Sequence, residues 1–276
     1  MKIASPRTRD IIPSFGLGTW RMGEAASQRT REVAAVRHAI ELGYRLIDTA
    51  EMYGEGGAEE VIGMALRGLA ERPFIVSKVY PQNATAKGVL AACERSRTRL
   101  GVDCIDLYLL HWRGGVPLAE TVEAFEKLCA AGRIRQWGVS NFDVDDLREL
   151  LAAGGVNCAA NQIYYSASQR GPEVALLPWL RERQIPAMAY SPVDQGALAN
   201  DATFARIGAR YGASAVQAAL AWALAQPSMV VIPKAVRHAH LEENYRAQAI
   251  TLNPDDVAAI EQAFPRPTSK RALAML

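Results

Sequence analysis

Cysteine is scarce in this chain, and the four present (Cys93, Cys104, Cys129 and Cys158) form no CxxC pair. The four histidines complete no zinc spacing either. A disulfide framework and a zinc-stapled fold are therefore set aside, no metal is expected, and buried thiols in a reducing compartment are expected instead. Charge of one sign is also missing: 31 basic residues stand against 29 acidic ones, a net charge of +2. That balance gives no general attraction to nucleic acid or membrane, so any anion site must be local. The start, Met1-Lys2-Ile3-Ala4-Ser5-Pro6-Arg7, holds no apolar leader segment, and no later run reaches membrane-spanning length. A soluble cytoplasmic protein follows as the expectation. Internal repeats, low-complexity linkers and domain boundaries are absent as well, which points to a single domain over residues 1–276.

Half of the residues are hydrophobic and 22% are charged, enough apolar material for a large core. Short β-type runs alternate with longer helical ones. Strands are predicted over 15–18, 44–48, 73–78, 105–111, 134–140, 159–164, 185–191 and 230–232. Helices are predicted over 30–42, 58–69, 85–100, 118–131, 144–152, 176–183, 203–211, 214–225 and 239–248. Gly43 and Gly132 read as helix stops, and Thr85 and Asp143 as N-caps. A small hairpin through Arg7-Thr8-Arg9-Asp10 precedes the first unit, and an extra C-terminal helix begins at Asn253-Pro254-Asp255. Eight strand–helix units in about 250 residues fit a (β/α)₈ TIM barrel. A doubly wound sheet would need a glycine-rich phosphate loop after an early strand; Gly16-Leu17-Gly18 runs into Thr19-Trp20 instead.

Active sites of such barrels form where the strand C-termini open. The polar residues at those predicted ends are Asp48 with Tyr53, Ser77-Lys78, His111-Trp112, Ser140-Asn141, Asn161-Gln162, Tyr190-Ser191-Pro192 and Pro233-Lys234. Each has a bland reading. Asp48 suits a turn, Tyr53 a surface aromatic, Lys78 a surface lysine, His111 a hydrogen-bonded core histidine, and Ser140-Asn141 a helix cap. Titratable groups at successive expected places argue otherwise. A tyrosine is a poor acid near neutrality, but an adjacent ammonium favours its phenolate. Asp48 would keep Lys78 charged, and a neutral His111 would position a carbonyl oxygen. Tyr53, Lys78, Asp48 and His111 thus form an acid–base group for carbonyl reduction, with the hydride coming from a nicotinamide.

Over nearly its full length the chain resembles the aldo-keto reductases, with closest similarity to bacterial reductases of the diketogulonate and methylglyoxal type. The matching segments include Gly16-Leu17-Gly18-Thr19-Trp20, Leu46-Ile47-Asp48-Thr49-Ala50 with Tyr53-Gly54, Ser77-Lys78, and Leu109-Leu110-His111-Trp112. They continue with Gly138-Val139-Ser140-Asn141-Phe142, Asn161-Gln162, Ala189-Tyr190-Ser191-Pro192 and Ile232-Pro233-Lys234. The resemblance implies a barrel that binds NADP(H) in an extended pose. By position, Tyr53 would be the general acid, Lys78 would lower its pKa, Asp48 would pair with Lys78, and His111 would orient the substrate. Ser140, Asn141 and Gln162 would hold the carboxamide, and Tyr190 would stack on the nicotinamide. Ser191 and Pro192 would follow the pyrophosphate. Gly18, Thr19, Trp20, Asp48 and Ile232 would complete the cofactor site. Lys234 and Arg237 would meet the 2′-phosphate, with His240, Glu243 and Asn244 toward the adenosine. Trp20, Met52, Tyr80, His111 and Trp112 would wall a small carbonyl substrate. Family members are often monomers, and a monomer is expected.

The departures bear on specificity. Ala235 stands where the family often has a hydroxyl, and His240 where an arginine commonly flanks the phosphate, so NAD(H) should be tolerated beside NADP(H). Asp194 replaces a common glycine and would sit awkwardly beside a pyrophosphate unless it points away. Two other readings stay open. A nucleotide-binding regulatory protein with little turnover is opposed by the intact acid–base set. A metal-dependent barrel hydrolase is opposed by the lack of paired ligands at strand ends.

Overall fold

The computed structural model describes residues 2–4, as backbone, and residues 11–276. Eight parallel strands form one sheet: β1 (Leu17–Gly18), β2 (Leu46–Asp48), β3 (Phe74–Val79), β4 (Ile105–Leu110), β5 (Ile134–Ser140), β6 (Asn161–Tyr164), β7 (Ala187–Tyr190) and β8 (Met229–Val231). Spatial order follows chain order, each parallel pair being joined through intervening helices. The sheet closes on itself. Phe15 bridges Val231 and Gly18 bridges Lys234 in parallel, and the Gly16 and Gly18 amides donate to the Val231 and Pro233 carbonyls at 3.0 Å each. Closure removes the free edges of a sheet and makes the fold a (β/α)₈ barrel. Gly18 is required at the seam, because a Cβ there would lie 2.9 Å from the Ile232 carbonyl oxygen.

Side-chain alternation builds two layers from the strands. Leu46, Val76, Leu107, Leu109, Met188 and Val230 point inward and fill the barrel. Ile47, Ile75, Tyr108, Val139, Ile163 and Ala189 point outward against the helices. The same alternation selects the site: Asp48, Lys78 and His111 continue the inward sets two residues beyond Leu46, Val76 and Leu109. Ser77 faces outward, donating to Glu59 at 2.6 Å.

The surrounding helices are α1 (Arg29–Leu42), α2 (Gly57–Leu66), α3 (Ala86–Leu100), α4 (Leu118–Ala130), α5 (Val144–Ala152), α6 (Leu176–Glu182), α7 (Ala202–Arg210), α8 (Ala215–Leu224), α9 (His238–Arg246) and α10 (Pro254–Ala263). Thr85 caps α3 by accepting from the Gly88 amide, and Asp143 heads a capping box on α5. Two predicted boundaries move for physical reasons. The helix expected over 58–69 ends at Leu66, where the Arg37 guanidinium binds the carbonyls of Met64, Ala65 and Arg67 and Gly68 turns at φ +79°. The strand expected over 185–191 ends at Tyr190, because Ser191 takes φ +48°.

Before the barrel, Lys2–Ala4 pairs antiparallel with Ile11–Pro13; the turn expected at Arg7–Asp10 lies outside the described residues. Cys93, Cys104 and Cys129 are free thiols, and Cys158 donates to the Ala160 carbonyl at 3.5 Å. Among the described residues no helix is long and apolar enough to cross a membrane, and no group of three or more His, Cys, Asp or Glu could hold a metal ion.

Asn253 starts α10 with a capping box: its side chain accepts from the Asp256 amide at 2.8 Å. We expect Asn253→Ala to cost about 1 kcal/mol in urea unfolding with an unchanged m-value. A loss below about 0.3 kcal/mol would mean that Asp256, bonded to Arg210 and Tyr211, secures the helix without the cap.

Candidate active site

At the C-terminal mouth, the Lys78 ammonium is fully buried between three oxygens. It lies 2.8 Å from Asp48 Oδ2, 2.8 Å from the Thr49 carbonyl and 3.1 Å from the Tyr53 hydroxyl. All three acceptors come from one segment, the last residue of β2 and the turn that follows it. Neighbouring β2 and β3 are paired with Asp48 opposite Val76, which puts Lys78 one pleat further along. The other Asp48 oxygen accepts from Gln162 Nε2 at 2.7 Å. Both oxygens are thus occupied, and Asp48 is a brace for Lys78 rather than a base.

Burial dominates the titration of this cluster. It raises the Asp48 carboxyl against the pull of Lys78 and Gln162, and it lowers Lys78 against the pull of Asp48. Burial, with the Asp48 charge, also raises the Tyr53 phenol well above its ordinary value. The sequence leads one to expect a phenol acidified by Lys78; burial and the Asp48 charge act in the opposite direction and favour the protonated form. His111 is pushed well below the usual imidazole range, first by burial and then by Lys78, so its ring is neutral near pH 7. Its ring meets Tyr53 edge-on at 5.8 Å, and its buried Nδ1 has no hydrogen-bond partner.

From this cluster a groove of about 840 Å³ runs across the barrel mouth. Asp48, Tyr53, His111, Met52, Trp20 and Trp112 line it at the cluster. Gly18, Ser140, Asn141, Gln162, Tyr190 and Ile232 line it as well. Ser191, Pro192, Lys234, Arg237, His240, Glu243 and Asn244 line the remainder. Tyr190 is held firmly: its hydroxyl donates to Asn141 Oδ1 at 2.9 Å, and one face stacks on Tyr164 at 5.6 Å. Asn141, at φ +59°, donates to the His111 carbonyl at 3.1 Å, and Ser140 donates to the Gln162 carbonyl at 3.1 Å.

Two expected contacts lie elsewhere. Thr19 is fully buried outside the groove, donating to the Asp48 carbonyl at 2.8 Å, where it ties β1 to β2. Tyr80 stands behind Trp112, edge-on at 5.9 Å, with its amide held by Glu51. Lining residues absent from the sequence reading include Arg21, Val193, Gln195, Met275 and Leu276. Arg21 follows a motif residue and has φ +64°, a left-handed conformation that no local signal predicts; its guanidinium stacks on Trp20 at 4.7 Å. Met275 and Leu276 reach the groove only because the chain after α10 folds back over the mouth.

A parallel barrel with a lysine–tyrosine–aspartate–histidine cluster at its C-terminal mouth defines an enzyme of the (β/α)₈ class. The chain belongs to the aldo/keto reductase family, whose profile matches residues 14–264. It is 49% identical to methylglyoxal reductase YeaE of Escherichia coli over 271 residues, covering 96% of this chain and 95% of that relative. Identity to the glyoxal reductase of Bacillus subtilis is 36% over 253 residues, covering 91% and 88%. An aldo-keto reductase from Klebsiella pneumoniae solved in complex with NADPH superposes with a TM-score of 0.95 at 44% identity, covering all (100%) of both chains.

Neutral His111 sets a pH dependence. In the unfolded chain an imidazole titrates near about 6.5; in the fold it titrates lower. Between those values the unfolded state holds a proton that the native state lacks, so stability present above about pH 6.5 is lost as pH falls. Unfolding free energy should drop between about pH 7.5 and 5.5, and the drop should shrink in His111→Asn. Equal drops in both proteins would remove His111 as the source.

Proposed function

We propose that this chain, acting as a monomeric single-domain enzyme in the cytoplasm, reduces small aldehydes and ketones with NADPH, dicarbonyls foremost. The carrying observation is the 3.1 Å contact between the Lys78 ammonium and the Tyr53 hydroxyl, braced by Asp48. The groove fits an extended dinucleotide in its donor set: carboxamide partners beside the acid–base cluster, a fixed aromatic face at Tyr190, and the cations Lys234 and Arg237 farther along. Bound there, a dihydronicotinamide supplies the hydride.

The chain's own groups do the rest. Tyr53 Oη gives its proton to the carbonyl oxygen, and Lys78 stabilises the phenolate as that proton leaves. A neutral His111 donates an N–H to the carbonyl oxygen and orients it. Gln162 keeps Oε1 for a carboxamide, since its Nε2 is held by Asp48; Asn141 Oδ1 has a second lone pair beyond the Tyr190 bond. Lys234 and Arg237 meet the 2′-phosphate as cations. The named relatives, a methylglyoxal and a glyoxal reductase, support dicarbonyl substrates. Arg113 supports uncharged ones: its guanidinium is committed to Glu149 and to the Gly114 and Val116 carbonyls, which leaves it unsuited to grip a carboxylate. An intact acid–base cluster disfavours a regulatory protein without turnover.

Tyr53→Phe should lower kcat for methylglyoxal by about 10²–10⁴-fold while NADPH binding stays within about threefold. Turnover unaffected by the change would remove Tyr53 as the acid. At the phosphate end, Ala235 offers no hydroxyl and His240 no permanent charge. The NADPH/NADH ratio of kcat/KM should therefore stay below about three decades, roughly 4 kcal/mol of discrimination. A larger ratio would show that Lys234 and Arg237 suffice for strict selection.

A further inference from the structure

The segment after β7 lines the groove, yet its acid does not. Ser191, Pro192, Val193, Gln195 and Gly196 face the cavity, while Asp194 is turned out of it. The Asp194 carboxylate is gripped by two hydroxyls, one at the end of β6 and one on the chain that follows it. Tyr164 donates to Oδ1, and Ser168 donates to Oδ2 at 2.7 Å. Backbone conformation in this segment is unfavourable for L-residues: Ser191, Asp194 and Gln195 have φ of +48°, +51° and +51°. Such conformations cost of order 1–3 kcal/mol each and persist only where surroundings hold them. Besides the backbone bonds of the Asp194, Gly196 and Leu198 amides to Ser191 and Val193 and the packing of Val193 against the core, the Asp194 grip ties the segment by side-chain hydrogen bonds to residues outside it. The far partner matters too. Tyr164 is buried, and its ring backs Tyr190, whose hydroxyl holds Asn141, whose amide holds the His111 carbonyl. One tyrosine therefore joins the 191–196 segment to the aromatic platform and the histidine strand end.

We propose that Asp194 and Tyr164 are positioning residues for the dinucleotide: their bond holds an acid out of an anion-binding groove and keeps residues 191–196 in the cofactor-lining conformation. This rests on the NADPH reading above. Loss of the Tyr164 hydroxyl leaves the carboxylate tied by Ser168 alone, on an exposed loop, and lets its charge turn toward the phosphates. Loss of the carboxylate releases the segment without adding that repulsion. Only the second loss removes a charge, but both share the loosening.

The test compares wild type with Tyr164→Phe, which keeps the ring, and with Asp194→Asn and Asp194→Ala. Two readouts are taken: hydrogen exchange of residues 191–200 without cofactor, and NADPH affinity by fluorescence titration at low and high salt. Expected are at least tenfold faster exchange in Tyr164→Phe and Asp194→Ala, a smaller change in Asp194→Asn, and NADPH affinity weakened about fivefold to tenfold. The affinity loss should be greatest in Tyr164→Phe and should be relieved there by salt or by adding Asp194→Ala, with kcat at saturating cofactor within twofold. Unchanged exchange overturns the tie. Faster exchange with unchanged NADPH affinity overturns the positioning role. Wild type that fails to bind NADPH overturns the cofactor reading and this role with it, while exchange still reports on the tie.

Discussion

A lysine ammonium with no exposure to water has to be surrounded by acceptors, and that need organises the mouth of this barrel. Isolated in a low-dielectric interior, the charge would cost several kcal/mol. Asp48, the Thr49 carbonyl and the Tyr53 hydroxyl meet it within 2.8–3.1 Å. The requirement propagates outward. Asp48 must stay ionised and oriented, which Gln162 assists from the far side of the barrel at 2.7 Å. Tyr53 must turn back over Lys78, which the tight turn after β2 allows. Removing any one partner leaves a buried charge or a buried polar group uncompensated.

Rigidity and adjustability are divided between two parts of the molecule. The ionisable groups of the cluster stand on strand ends or one turn beyond them, where the barrel pleat determines direction. Groups expected to meet the dinucleotide extend onto loops whose backbone is held by side-chain ties. The sequence Asp194, Tyr164, Tyr190, Asn141 and His111 is a continuous run of such ties, linking a surface segment to the backbone carbonyl of His111. Positive φ at Asn141, Ser191, Asp194 and Gln195 marks the points where the backbone departs from ordinary conformations to make this possible.

The two ends of the groove differ in how strongly charge is committed. Near the cluster Lys78 and Asp48 are paired with each other, and Arg113 on the strand-four loop is locked onto Glu149. Toward the phosphate end Lys234, Arg237 and His240 are exposed and line the cavity. An exposed cation interacts more weakly than a buried one and responds to salt, so the charges at this end are screened in a way that Lys78 is not.

Hydrophobic alternation and turn chemistry made the eight strand–helix units readable from the residues, because each depends on a local period or cap. Thr85, Asp143 and Asn253 mark helix starts that the structure reproduces, and residues 134–140 and 144–152 match their elements throughout. The polar set at strand ends was equally legible, since a parallel barrel delivers every such end to one face. What no local pattern encodes is which partner each side chain chooses. Thr19 and Tyr80 were assigned to ligands by position and turn instead toward Asp48 and Trp112. Gln162 divides its amide, and Met275 and Leu276 arrive at the groove from the far end of the chain. The ionisation state of Tyr53 and His111 belongs to the same class. Residue type determined that these groups can carry a proton; burial, a property of the closed barrel alone, raises the Tyr53 phenol and lowers the His111 imidazole.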